Sequence, residues 1–352
     1  MASDSDSSLP RPRRARRSHG GITLSDVAKL AGVSAITASR ALNKSAQVSP
    51  ETLARVKEAV ERTGYVPNML AGSLASNRSR LVAAVVPTLS GPIFVETIES
   101  MTAALAERGY QLMLGQGGYA NSREDALLDA IIGRRPDGIV LTGIMHSAEG
   151  RRRLIASGIP VVETWDLTPT PIDMLVGFSH ERIGQAVAEF LQRRGRVRAA
   201  TISGDDERAV RRRRAFDAAA LAFGLAPAGA GEVPGVFVPA PTTIGSGRRA
   251  LAELLAAHPD VDAVFCSSDL LALGVLIEAQ SRGIAVPARL AVVGFGDIGF
   301  AADLHPALTT VRTDGAAIGR TAARFIVERA EGRPVSEPIC DIGFTIVERD
   351  SA

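Results

Sequence analysis

Residues 22–43, ITLSDVAKLAGVSAITASRALN, and residues 48–76, VSPETLARVKEAVERTGYVPNMLAGSLAS, decide how this chain begins to fold. Thr23 with Asp26 three positions on is a capping-box pattern, which predicts a helix from Leu24 to Ala31 with Val27, Ala28 and Ala31 turned inward. Gly32 supplies the permissive backbone of a tight turn, and Val33 tucks beneath it. Ser34 then caps a second helix, Ala35 to Leu42, whose inward positions are Ala38 and Leu42. Ser49-Pro50-Glu51 opens a third, since proline in the first turn gives up only a donor that has no partner there. Leu53, Val56 and Val60 form its inner stripe, and Gly64 ends it. Two short helices joined at a glycine, with a third completing a miniature core, make the tri-helical helix-turn-helix plan.

The outward face of the second helix is Ala35, Ile36, Thr37 and Arg40. Small residues near its start would let the backbone lie close to base edges. Arg40 suits guanine or phosphate, and the Thr37 and Ser39 hydroxyls suit phosphate oxygens. Residue by residue, the same pattern also describes an ordinary solvated helix face. Charge adds weight to the first reading. The net charge is +2, but residues 1–80 carry 13 Lys and Arg against 6 Asp and Glu, which is +7 on the head and leaves −5 on the rest. A basic head on an acidic body suits a polyanion-binding module joined to something else. Residues 1–21, with five arginines between Arg11 and Arg17, read as a disordered basic tail.

At 352 residues the chain is long for one core, and 46% hydrophobic with 22% charged residues is ordinary for a globular protein. There is no apolar run of membrane-spanning length and no secretory pattern at the N-terminus, so the chain reads as cytoplasmic. Cys266 and Cys340 are far apart, and the five histidines show no metal spacing, so neither a disulfide framework nor a metal site is expected.

Beyond Arg80 apolar strands alternate with amphipathic helices. The strands expected are Leu81–Val86, Tyr110–Leu114, Gly138–Leu141, Ile159–Val162, Ala199–Ile202, Ala263–Cys266 and Leu290–Val293. The helices expected are Phe94–Arg108, Arg123–Ile132, Glu181–Arg194, Ala209–Phe223, Ser246–Ala257 and Leu270–Ser281. This alternation predicts an α/β body of parallel sheets, in two lobes with a cleft at the strands' carboxyl ends. Gly115-Gln116-Gly117-Gly118 does not make G-x-G-x-x-G, and there is no Walker lysine and no G-x-S-x-G elbow. No enzyme and no cofactor are expected. Asp269, at a strand-to-helix junction, suits either the binding of a small ligand or the capping of the following helix. Among Arg211 to Arg214, helical spacing leaves three for solvent and one for the interior.

Residues 22–76 resemble the N-terminus of the LacI (lactose-repressor) family almost position for position, and residues 81–349 resemble its periplasmic-binding-protein-like core. The resemblance implies a sequence-specific regulator that binds near-palindromic operator DNA as a homodimer. It divides the chain into a helix-turn-helix head (22–67), a hinge helix and linker (68–80) and an effector-binding, dimerising body (81–349). It places Ala35, Ile36 and Arg40 where bases are read, with Thr23, Ser34, Thr37, Ser39 and Asn43 beside them. It makes Asn68 to Ser76 a hinge helix that folds only on DNA, where Asn68 and Ala71 make contact and Leu74 wedges into the minor groove. In the cleft it assigns an effector-gripping role to Asp269 and to Arg212, with Ile93 and Phe94 against the ligand. Thr88, Ser90, Asp166 and Thr313 are further candidates, although the family's acidic residue usually stands one place before Asp166. The segments GYANSREDALLDAIIGRRPDGIVLTG, IPVVETWD, LVGFSH, VDAVFCSSDLLALG and DIGFT are most similar to the gluconate-utilisation repressors. That subgroup implies a sugar-acid effector, its carboxylate on Arg212 and its hydroxyls on Asp269. A corepressor mode, and a solute-binding module of another class, remain as alternatives. The end of the chain, Asp341 to Ala352, has no leucine heptads, which favours a dimer over a tetramer.

Overall fold

A computed structural model of the chain describes residues 22–43, 47–66, 78–119, 121–226 and 231–352. The expected basic tail and the hinge helix at 68–76 lie outside the described residues. The chain divides into two compact units, with the boundary between Asn77 and Arg78.

The first unit is built from α1 (Leu24–Leu30), α2 (Ala35–Asn43) and α3 (Pro50–Thr63). The capping box forms as expected: the Thr23 hydroxyl accepts from the Asp26 amide at 3.4 Å, and the Thr23 amide donates to Asp26 Oδ2 at 2.9 Å. Gly32 and Gly64 take the left-handed conformation at φ +65° and +63°. The core is Val27, Ala28, Ala31, Ala38, Ala41, Val56 and Ala59, with Leu24, Val33, Leu42, Leu53 and Val60 packed at its edge. Side chains this small let three short helices approach closely, but they bury little apolar area.

The second unit contains β1 (Leu81–Val86), α4 (Val95–Ala106), β2 (Gln111–Gln116), α5 (Asn121–Ile132), β3 (Gly138–Thr142), α6 (Ala148–Ser157), β4 (Val161–Thr164) and β5 (Met174–Gly177). It continues through α7 (His180–Arg193), β6 (Ala199–Gly204), α8 (Glu207–Ala222), β7 (Gly235–Val238), α9 (Ile244–Ala257), β8 (Ala263–Cys266) and α10 (Asp269–Ser281). Then come β9 (Ala291–Phe295), β10 (Thr309–Arg312), α11 (Gly315–Ala330), β11 (Ile339–Asp341) and β12 (Thr345–Val347). Two six-stranded sheets result, ordered β11-β5-β4-β3-β1-β2 and β12-β10-β9-β8-β6-β7. All pairings are parallel except β10 with β12.

The chain crosses between the lobes three times, at 178–179, 313–314 and 342–344, because α11 packs on α4 and the first sheet while β12 joins the second. That route explains the one antiparallel pair. Strands of both sheets run toward the cleft, so a chain that enters the second lobe from the cleft must run away from it. The elements absent from the expectation, α6, β5, β7, β10, α11, β11 and β12, are mostly short strands or lie near these crossings. Ser79 and Arg80 donate their amides to the Asp137 carboxylate at 3.0 and 2.8 Å. The end of the expected linker is therefore already fastened to the body.

Two glycines position the cleft. Gly184 on α7 lets the α8 backbone approach, since a Cβ there would lie 2.3 Å from the Arg212 carbonyl oxygen. Gly294 on β9 leaves room for a carboxylate, as its Cβ would fall 2.2 Å from Asp269 Oδ1.

Candidate DNA interface and ligand cleft

In the head, the Ser34 hydroxyl accepts from the Thr37 amide at 3.1 Å and pairs with the Thr37 hydroxyl at 2.9 Å, which fixes the first turn of α2. Ala35, Ile36 and Arg40 are exposed on that helix, while Thr37 and Ser39 are half-buried. Ile36 is 66% exposed, an apolar side chain that no part of the described head covers. A branched hydrocarbon beside an arginine on a helix of small residues can meet a thymine methyl and a guanine edge in a major groove. Thr23 is exposed at the start of α1, with its hydroxyl 2.6 Å from Asp26 Oδ2. The side chain of Asn43, and Asn68, Ala71 and Leu74, lie outside the described residues.

In the body, an inner cavity, partly open to solvent, lies between the lobes. Thr88, Ile93, Phe94, Arg212 and Asp269 all line it. Ser90 and Asp166 line the wider chamber outside it. Thr313 is buried, its hydroxyl has no partner among the described residues, and it lines neither space.

Asp269 is the first residue of α10, but the helix is capped by Ser268, whose hydroxyl accepts from the Leu271 amide at 3.3 Å. Capping is therefore not the work of Asp269. Its Oδ1 accepts from the Thr310 hydroxyl at 2.6 Å and its Oδ2 from the Ile298 amide at 3.0 Å. Burial pushes this carboxyl up to about 6, against those two hydrogen bonds.

Arg212 is 5% exposed. Its Nη1 donates to His180 Nδ1 at 2.9 Å and its Nη2 to the Ser267 carbonyl at 3.0 Å, while its plane lies 3.8 Å from the Phe295 ring centre. Nε has no partner among the described residues. Burial draws its pKa down to about 10. An arginine cannot accept a hydrogen bond, so His180 presents a bare Nδ1 to it and donates from Nε2 to the Trp165 carbonyl at 3.0 Å. Burial, with Arg212, Arg208 and Arg211 nearby, holds this imidazole well below its ordinary pKa, so it stays neutral.

Trp165 is held at φ +65° and stands edge-on to Phe94 and Phe178, with ring centres 5.0 and 5.7 Å away. Its indole N–H is buried without a hydrogen-bond partner among the described residues. Asp166 faces the other way, taking Nη1 of Arg211 at 2.9 and 3.1 Å. Within the run Arg211–Arg214 of α8, then, Arg211 ties the lobes together, Arg212 lines the cavity, and Arg213 pairs with Asp217.

The cavity also takes in Trp165, His180, Arg208, Ser267 and Phe295, which the sequence did not single out. Trp165 was the most findable of them, as the chain's one tryptophan at the end of an apolar strand. The N-cap at Ser179 and the arginine in the first turn of α8 were weaker signals.

Residues 23–68 match the model for bacterial regulatory proteins of the lacI family, and residues 175–352 match a periplasmic binding protein-like domain. The HTH-type transcriptional regulator GntR of Pseudomonas aeruginosa is 39% identical over 338 residues, spanning 95% of this chain and 97% of that one. The chain belongs to the lacI family. Among solved structures, a LacI-family transcriptional regulator from Silicibacter pomeroyi superposes with a TM-score of 0.87 at 32% identity, over 94% of this chain and 99% of its own. The transcriptional regulator CelR in complex with cellobiose superposes at 0.67 with 31% identity, over 94% of this chain and all of that one. This lacI-family member is a DNA-binding transcriptional regulator rather than an enzyme. Among its described residues, no helix is long and apolar enough to cross a membrane.

Proposed function

We propose that this regulator is a dimeric, cytoplasmic repressor that holds operator DNA until a sugar acid of the gluconate class enters its cleft. The observation that carries the effector class is a surplus of donors. Arg212 Nε, Trp165 Nε1 and Arg208 Nη1 are buried without hydrogen-bond partners among the described residues, while both oxygens of Asp269 already accept hydrogen bonds. A buried donor left unmade costs about 1–3 kcal/mol, so a ligand that brings acceptors and negative charge is favoured over one that brings neither. Aromatic faces at Phe94, Trp165 and Phe295 suit the C–H faces of a carbohydrate chain. The similarity to a GntR regulator and to a cellobiose-bound CelR supports a carbohydrate-class effector.

In this reading the head is 22–67, the hinge and linker 68–80, and the effector body 81–349. Ala35, Ile36 and Arg40 read bases, with Thr23, Ser34, Thr37, Ser39 and Asn43 along the backbone. Asn68 and Ala71 join them from the hinge, and Leu74 opens the minor groove. Thr88, Ser90, Ile93, Phe94, Arg212 and Asp269 hold the effector, with Asp166 at the rim and Thr313 behind. The ligand acts only through its different affinities for two arrangements of the lobes.

The test begins by selecting bound duplexes from a random pool to obtain an operator. Fluorescence anisotropy of that duplex should then fall as D-gluconate is added. Unchanged binding across gluconate and related aldonates would overturn the effector, and tightening would reverse the sign of the switch to a corepressor.

A further inference from the structure

Arg208 is the second residue of α8. A first helical turn already carries the positive end of the helix dipole, so a cation there is unfavourable unless something negative faces it. Its nearest acid, Asp206, sits 3.8 Å from Nε, and the same oxygen caps the helix by accepting from the Ala209 amide at 3.2 Å. Nη1 is buried and has no hydrogen-bond partner among the described residues. The guanidinium reaches across the cleft. Its carbon lies 5.5 Å from the Phe94 ring centre, and Nη1 would meet a Cβ on Gly143 at 3.8 Å, both positions belonging to the first lobe. Arg208 also lines both the inner cavity and the outer chamber, so it stands where one opens into the other.

Arg212 differs in how much of it is already used. Both of its terminal nitrogens donate within the protein, one face is stacked on Phe295, and only Nε is unpartnered. A carboxylate takes two parallel N–H groups from an arginine edge. Arg208 can offer such an edge without breaking any hydrogen bond.

We propose that Arg208 is the residue that selects an acid over a neutral sugar derivative. Its free Nη edge takes the ligand's carboxylate at the mouth of the inner cavity, while Arg212 and Asp269 orient the carbon chain through its hydroxyls. This rests on the sugar-acid reading above. Because the guanidinium comes from the second lobe and leans on the first, the same contact also favours a closed cleft.

Isothermal titration calorimetry of the full chain with D-gluconate and with D-gluconamide, the same carbon chain with a neutral amide, tests it. The wild type should prefer gluconate by at least tenfold. In Arg208→Gln gluconate affinity should fall at least 30-fold and gluconamide affinity less than threefold. Arg208→Lys, which keeps the charge but not the fork, should retain part of the preference and guards against a folding defect. In Arg212→Gln both ligands should weaken together. A Gln variant that keeps the wild-type preference, or one that loses both ligands equally while its Lys counterpart does the same, overturns the assignment and leaves the sugar-acid reading standing. A wild type that binds neither ligand overturns both.

Discussion

The head and the cleft of this protein recognise their partners by opposite uses of burial. In the head, the core is alanine and valine, and the groups proposed to meet DNA are held out in water: Ile36 at 66% exposure, with Ala35 and Arg40 beside it. In the cleft, the polar groups are inside. Arg212 is 5% exposed and Asp269 is 1% exposed, and neither has an ion-pair partner among the described residues. An exposed charge costs the fold little and gains its value from a polyanion that screens and releases counterions. A buried charge costs the fold a great deal, and recovers it only when a ligand completes the site. The head should therefore tolerate loss of its reading residues, whereas the cleft should gain or hold stability as it loses function.

The largest effect expected is at Arg212. Its pKa, drawn down to about 10 by burial, corresponds to a cost of about 3 kcal/mol at 1.36 kcal/mol per pKa unit. Replacement by methionine removes that cost but leaves His180 Nδ1 and the Ser267 carbonyl unpaired, at about 1–3 kcal/mol each. The two nearly cancel. Arg212→Met should shift the melting temperature of the unliganded protein by no more than about 10 °C, while gluconate affinity falls more than about 100-fold and operator binding persists. A collapse of the melting temperature would make Arg212 a structural residue and break the contrast.

How much of this was visible in the sequence follows the same division. The head was legible nearly to the residue, because capping boxes, turn glycines and a proline in the first turn are local signals: Thr23, Gly32, Ser34, Pro50 and Gly64 each act within four positions. In the cleft, Arg212 and Asp269 were reached through resemblance, but their partners were not. His180 is 32 positions from Arg212, and Thr310 is 41 from Asp269. Only the fold brings them together. The choice between ligand and cap at Asp269 was open in sequence, because Ser268 and Asp269 are both good caps; the Ser268 hydroxyl on the Leu271 amide removes the cap and leaves the ligand role as a proposal. The three crossings between lobes were hidden for a similar reason, since β11 and β12 are three residues each and carry no periodicity of their own.

A smaller effect is expected at Arg40. If it reads a base, Arg40→Ala should weaken the selected operator by about 1–3 kcal/mol and relax the sequence preference at one position. If it holds a phosphate, binding should weaken on all sequences alike, and the dependence on log salt should become shallower by about one. Titrations of the operator and of a scrambled duplex between low and moderate salt separate the two. In either case gluconate affinity should not change, because the side chain is exposed and belongs to a different compact unit. Full operator affinity in the variant would mean that α2 does not face DNA.

The smallest effect expected is at Thr23, and it asks whether a residue can belong to both sides of the comparison. Its side chain is part of the capping box and yet is exposed at the start of α1, where a phosphate can reach it. Thr23→Ala removes the cap, worth about 1 kcal/mol, from a head whose core is too small to absorb the loss unnoticed. The melting of the head should fall by several degrees while that of the body stays in place, by circular dichroism or hydrogen exchange resolved to each unit. Thr23→Ser keeps the hydroxyl and should restore the head. If capping is all that Thr23 does, operator affinity measured well below the melting range should be unchanged in the alanine variant. A loss there, rescued by serine, would assign the hydroxyl to phosphate as well. The head would then use one side chain both to hold its fold and to read its partner, something the buried cleft does only at the cost of desolvating a charge.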